Sequence, residues 1–252
     1  TKPSYVHKYF VDGSPFAGDI DAGSETASNW RTMLVGTLGG GGRGYFVLDV
    51  TDPTTFAISN AASLVAVDTT LSPRVEGVAD PAGTDPDLGH IFSAPVPHEF
   101  YPMRASQIAR MNNGRWAAIL GNGYNSASEK PVLYIQYLSG PDKSVVKLQA
   151  IKAGAAADTA ENKTANGLSA PRLVDINGDD TPDVIYAGDL KGNLWKFDVS
   201  SSQPSDWGVA FNGTPLFTAN ERTSDGAVSN VRQPITAPPT VRPNSSGRGM
   251  MV

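Results

Sequence analysis

Cysteine is absent from all 252 residues. That excludes disulfides, thiolate metal sites and a cysteine nucleophile, although it leaves an exported bacterial protein open. No apolar run approaches the ~18 residues of a membrane helix, and nothing reads as a signal peptide, so no transmembrane segment is expected. Basic runs are also missing: Lys and Arg are scattered, the formal charge is −5 and the pI is about 5.2. Such a chain is a poor polyanion binder, and nucleic acid drops out as a partner. His7, His90 and His98 form no His-x-His or His-Glu-x-x-His pattern, and a surface or strand-face position is expected for them. There is no Gly-x-Ser-x-Gly elbow. Gly39, Gly41 and Gly44 match G-x-G-x-x-G, but strand-like Tyr45-Phe-Val-Leu48 follows where a phosphate-binding helix would be needed. The glycines therefore read as a hairpin turn. Arg43 at its tip reads as a contact residue or a solvated one, and solvation is expected.

What the chain has is turn-forming residues, with 26 glycines and 19 prolines, beside 40% hydrophobic residues. That composition favours many short strands around a sizeable core. Three segments share one grammar, a strand, a glycine-rich turn and a second strand with aromatics. They are Trp30–Gly36 with Tyr45–Val50, Trp116–Gly121 with Val132–Tyr137, and Asp183–Gly188 with Asn193–Val199. A lead-in resembling Ser-Ala-Pro recurs at Ser93-Ala-Pro95, Ser169-Ala-Pro171 and Thr236-Ala-Pro238, and Ser14-Pro15 after Tyr9-Phe-Val11 could begin the first unit. Repeats of several strands at this period predict an all-β fold, a β-propeller that is irregular or partial, as one domain over 1–252. The start at Thr1 and the stop at Gly249-Met-Met-Val252 suggest a piece of a longer protein. A short helix is expected near Asn60–Val67, and mobile loops over Ala153–Gly167 and Thr218–Ser229. Trp30, Trp116 and Trp195 fall inside the repeat and are expected to pack between blades.

The chemistry concentrates in Asp175-Ile-Asn-Gly-Asp-Asp-Thr-Pro-Asp183. Side-chain oxygens stand at Asp175, Asn177, Asp179 and Asp183, loop positions 1, 3, 5 and 9, and the Thr181 carbonyl would supply position 7. Hard oxygens at this spacing suit Ca²⁺, which takes about 6–8 of them at about 2.3–2.6 Å. Two departures from an EF-hand are plain: Tyr186 stands where the bidentate Glu would be, and Asp180 where the glycine would be. The flanks, Pro171-Arg-Leu-Val174 and Val184-Ile-Tyr-Ala187, read as strands, so the loop would be an EF-hand-like calcium loop in a β-hairpin. An acidic turn without metal is the alternative. The oxygen spacing and the strand frame together favour Ca²⁺ as cofactor.

Gly36 to Pro53, Asn112 to Ser126, and Leu173 to Asp183 with Tyr186 to Asp198 resemble, in order, segments of the PilC/PilY family of type IV pilus tip-associated proteins. The resemblance covers nearly the whole chain from about Tyr9. It implies a C-terminal β-propeller of an exported protein at the pilus tip of a Gram-negative bacterium, extracellular or outer-membrane associated. It implies contact with minor or major pilins and with a host-surface receptor, and calcium on Asp175, Asn177, Asp179, Thr181 and Asp183 that opposes pilus retraction. No Arg-Gly-Asp tripeptide occurs, so integrin binding gains no support here. The competing readings are a quinoprotein dehydrogenase propeller and a generic integrin-like calcium-loop propeller that binds a protein or glycan. The missing cysteine and the contiguity of the oxygen ligands speak against the dehydrogenase, and no nucleophile–base pair points to any other enzyme.

Overall fold

The computed structural model describes residues 7–24, 26–70, 84–92, 94–98, 105–151, 165–224, 226–245 and 249–252. Strands dominate, arranged as three antiparallel meanders of four strands in chain order. The first comprises β1 (Phe16–Asp21), β2 (Trp30–Thr37), β3 (Tyr45–Asp49) and β4 (Val65–Asp68). The second comprises β5 (Ile108–Arg110), β6 (Trp116–Gly121), β7 (Val132–Tyr137) and β8 (Val145–Gln149). The third comprises β9 (Arg172–Val174), β10 (Val184–Gly188), β11 (Asn193–Asp198) and β12 (Gly208–Val209), with β13 (Phe217–Thr218) on the start of β11. Two hairpins follow, β14 (Asn220–Arg222) with β15 (Val228–Arg232) and β16 (Arg242–Pro243) with β17 (Met250–Met251).

The second sheet is apolar on both faces because it lies between the other two. Alternation along β6 and β7 sends Ala117, Ile119, Leu133, Ile135 and Tyr137 into one core with Ile185, Trp195, Phe197 and Trp207 of the third sheet. Ala118, Leu120, Val132 and Tyr134 go the other way, into a core with Ile20, Val35, Tyr45 and Val47 of the first. A strand buried on both faces reads as a continuous apolar run, and Val132–Tyr137 has every residue buried. Its one amide, Gln136, accepts the Tyr45 hydroxyl at 2.7 Å and donates to the Lys143 carbonyl at 2.6 Å, so a buried polar group is satisfied across the two sheets. Burial, with the nearby Asp85 charge, pushes the Tyr45 phenol well above its ordinary range.

The central glycines of the repeat have one steric reason. A Cβ on Gly121 would overlap the carbonyl of Ser169, and one on Gly188 the carbonyl of Ile235. Each thus lets a later segment of backbone pass close against the end of an inner strand. Beside them, Asn122 and Asp189 are fully buried. Asn122 donates to the carbonyls of Asp87 and Lys130 and accepts from the amides of Val132 and Leu168.

Several expectations need correction. The helix covers only Ala61–Leu64, and Val65–Asp68 is instead the outer strand of the first sheet, as its β-branched alternation allows. Thr218–Ser229 is largely hairpin. Arg43 is not a solvated tip: its Nε and Nη1 are buried without a hydrogen-bond partner. Trp195 does pack between the second and third sheets as expected, with Trp207 beside it, and Trp116 meets Trp30 edge-on at 6.2 Å, but Trp30 keeps much of its ring in solvent. Ser14-Pro15 and Ser169-Ala-Pro171 do lead directly into β1 and β9, whereas Thr236-Ala-Pro238 leads into no adjacent strand. Ser93 and most of the Ala153–Gly167 loop lie outside the described residues. Among the described residues no helix is long and apolar enough to cross a membrane.

Candidate metal centre

The acidic loop joins β9 to β10, whose first paired residues are Val174 and Val184. The hairpin holds its two ends together, and a 2.9 Å bond from the Asp183 amide to the Val174 carbonyl closes the base. Nine residues must then turn above two strands, and the loop does so by folding its backbone amides onto its own carboxylates. Asp175 accepts from the amides of Gly178 at 2.7 Å and Asp180 at 2.9 Å, one on each oxygen. Asp183 accepts from Ile176 at 2.7 Å and Asn177 at 3.3 Å, both on Oδ2. Asp179 accepts from the Thr181 hydroxyl and amide, which together hold its carboxyl below the usual carboxylate range. Two residues make the turn with left-handed backbone, Gly178 at φ 82° and Asp180 at φ 65°. Asp180 therefore fills the position where an EF-hand has glycine by adopting the conformation that glycine would supply.

The five predicted ligands share this one loop but differ in setting. Asp183 is buried, Asp175 and Thr181 half-buried, Asn177 and Asp179 exposed. Asn177 points its amide nitrogen at Asp179, 3.0 Å away, and its oxygen accepts from the Asp179 amide. Among the described residues no three His, Cys, Asp or Glu side chains are gathered as a metal-holding group. The donor chemistry nevertheless fits a hard dication. Every candidate atom is oxygen, a carboxylate offers about four lone-pair sites, and the hydrogen bonds take only two of those on Asp175 and on Asp183. Asp183 Oδ1 takes none of these bonds.

One participant carries no sequence signal of its kind. Asn112, in the turn between β5 and β6 of the second sheet, donates through Nδ2 to the carbonyls of Pro182 and Val199, both at 2.9 Å. Its Oδ1 lies 3.1 Å from the Thr181 hydroxyl. In the sequence Asn112-Asn-Gly114 reads as turn residues, and nothing local announces that one of them spans two sheets.

Comparison with known proteins adds the lineage. The family model described as the PilY1 beta-propeller domain matches residues 3–252. The type IV pilus biogenesis factor PilY1 of Pseudomonas aeruginosa (strain UCBPP-PA14) is 36% identical over 267 residues, covering 98% of this chain and 19% of that protein. A type IV pilus biogenesis factor PilY1 homolog of Xylella fastidiosa is 36% identical over 241 residues, covering 93% of this chain and 14% of its own length. The crystal structure of the Pseudomonas aeruginosa PilY1 C-terminal domain superposes with a TM-score of 0.67 at 33% identity, covering 95% of this chain and 42% of that one. The chain thus spans less than a fifth of the length of these curated relatives. Its three sheets are blades of a β-propeller.

Proposed function

The chain belongs to the PilY1 β-propeller family, and on that footing we propose that it is the calcium-binding propeller of a type IV pilus biogenesis protein. In this reading it works at the bacterial surface, at the pilus tip, by protein contact and without catalysis. Its partners are minor or major pilins and a host-surface receptor. The names of the relatives support the pilus setting. The observation that carries the calcium half is the oxygen-only loop between β9 and β10, with the buried Asp183 keeping one oxygen outside the hydrogen bonds of the loop.

Asp175, Asn177, Asp179 and Asp183 would hold the ion through side chains and Thr181 through its carbonyl, and the ion would supply charge neutralisation among three carboxylates. The chain's own residues supply the connection outward. Thr181 touches Asn112 of the preceding blade, and Asn112 in turn holds Pro182 and the end of β11. A change in the order of the loop therefore reaches the seam between two blades, where a partner surface can respond to it. This coupling is our basis for a role in the balance between pilus extension and retraction and in surface attachment.

The test is made in cells that carry Asp175→Ala. Fewer surface pili and weaker twitching than the parent are expected. Pilus numbers and twitching equal to the parent would reduce the loop to a structural staple. Turnover of an alcohol by the purified protein with added quinone cofactor would overturn the non-enzymatic half.

A further inference from the structure

We propose that the cleft between the second and third blades binds a small acidic saccharide, a carboxylate-bearing sugar of one or two rings. The cleft encloses about 270 Å³, and none of its described lining residues belongs to the acidic loop. That volume is just under the range of about 300–1,000 Å³ usual for ligand pockets, which limits the occupant to a small molecule or the end of a glycan.

Charge sets the first requirement. Among the described residues Lys130, Lys191 and Arg232 line the cleft against one lining carboxylate, Glu129, in a chain whose formal charge is −5. Neither Lys130 nor Arg232 forms a salt bridge among the described residues, and Lys130 feels the Asp87 carboxylate only at longer range. A cationic rim on an acidic protein selects for an anionic group.

The remaining lining sets the second. Three wall residues, Asn166, Asn193 and Trp195, are fixed from behind by the buried Asp189, which accepts their side-chain N–H groups at 3.1, 3.0 and 2.8 Å. Those groups are committed and give a rigid wall, with the Asp189 charge offset by its donors. Gln149 and Thr214, by contrast, make no side-chain hydrogen bond among the described residues and remain open to hydroxyl groups. Pro131, Ala150, Ile151 and Pro215 add apolar surface. A bare phosphate has no use for that surface, whereas the C–H face of a sugar ring does.

Backbone strain marks the same place. Among the described residues five non-glycine positions have left-handed backbone, and three flank this cleft: Glu129 on one lip, and Phe211 and Asn212 just before Thr214 on the other. For a bulky aromatic such as Phe211 this conformation is an outlier, of the kind that clusters at ligand sites.

The experiment titrates the purified chain with D-glucuronate, D-glucose and inorganic phosphate, followed by calorimetry or NMR. Saturable glucuronate binding is expected, weakened by salt and lowered about tenfold or more in the double variant Lys130→Ala/Arg232→Ala, which changes one half-buried and one exposed side chain. Gln149→Ala is expected to weaken glucuronate while leaving the far-ultraviolet circular dichroism unchanged, which separates a ligand contact from a folding defect. No saturable glucuronate binding would overturn the proposal. So would glucose binding as tightly, which would make the cations irrelevant, or phosphate binding as tightly, which would leave a bare anion site.

Discussion

Asn112 and Thr181 meet across the seam between two blades, the Thr181 hydroxyl 3.1 Å from Asn112 Oδ1 and 2.5 Å from Asp179 Oδ1. One hydroxyl proton is shared by two acceptors, so the acidic loop and the neighbouring blade are held by the same atom. Asn112→Ala removes this contact and leaves the Pro182 and Val199 carbonyls without their donor. A loss of about 1–3 kcal/mol is expected, the cost of leaving buried polar groups unsatisfied. Urea unfolding measures it, and a midpoint unchanged from the parent would show that the seam does not depend on Asn112.

Glycine at the crossing point gives a second prediction. Gly121→Ala puts a methyl group into the Ser169 carbonyl, which is backbone and cannot swing away. A methyl group added at Gly208 would meet nothing within 4 Å, so Gly208→Ala is the control. Gly121→Ala should destabilise by about 1–3 kcal/mol or more and Gly208→Ala by far less. Equal thermal midpoints for the two variants would contradict the packing of the lead-in on Gly121.

Asp189 gives a third. Its carboxylate is fully buried and accepts four N–H groups, the Asn193 amide at 2.8 Å included. Asp189→Ala strands all four donors, and a cost of about 3 kcal/mol or more is expected. Tryptophan fluorescence should report it as well, because the Trp195 indole N–H loses its acceptor.

Acid stability gives a fourth. Arg115 and Ser144 hold the Asp142 carboxyl at a pKa of about 2, below its ordinary value of 3.8. A carboxylate with a lowered folded pKa stabilises the fold above the ordinary value, and that contribution is lost as pH falls from about 4 through 2. Asp142→Asn should lower stability slightly at neutral pH, leave it unchanged in acid and so flatten this part of the stability–pH curve, by a small amount because Asp142 is solvent-exposed. An acid limb as steep as the parent's would assign that loss to other carboxylates.

Much of this architecture was legible in the sequence because the blade-forming hairpins obey local rules. Trp116–Gly121 and Val132–Tyr137 announce themselves by β-branched and aromatic content between glycine-rich turns, and both strands fall where those signals put them. The acidic loop was legible for a similar reason, since its oxygens are contiguous. What stayed hidden is decided at a distance. The outer strand β8 pairs with β7 through Val145–Gln149, yet its half-polar sequence carries no run long enough to mark it. β12 is only Gly208–Val209 and owes its existence to β11 alongside. Asn112, Asn122 and Asp189 read as ordinary turn residues, and only the fold reveals that their partners lie 87, 46 and 23 residues away. The expectation of a helix through Val67 failed because pairing with β3 outweighed local helix preference from Val65 onward.

Calorimetric titration of the purified chain with Ca²⁺, parent beside Asp179→Ala, decides whether the acidic loop holds calcium. One Ca²⁺ bound by the parent is expected, with poor competition by Mg²⁺, which demands a tight octahedron at about 2.0–2.1 Å, and no binding by Asp179→Ala while its β-sheet circular dichroism persists. Calcium affinity unchanged in Asp179→Ala, or no calcium bound by the parent, would contradict it.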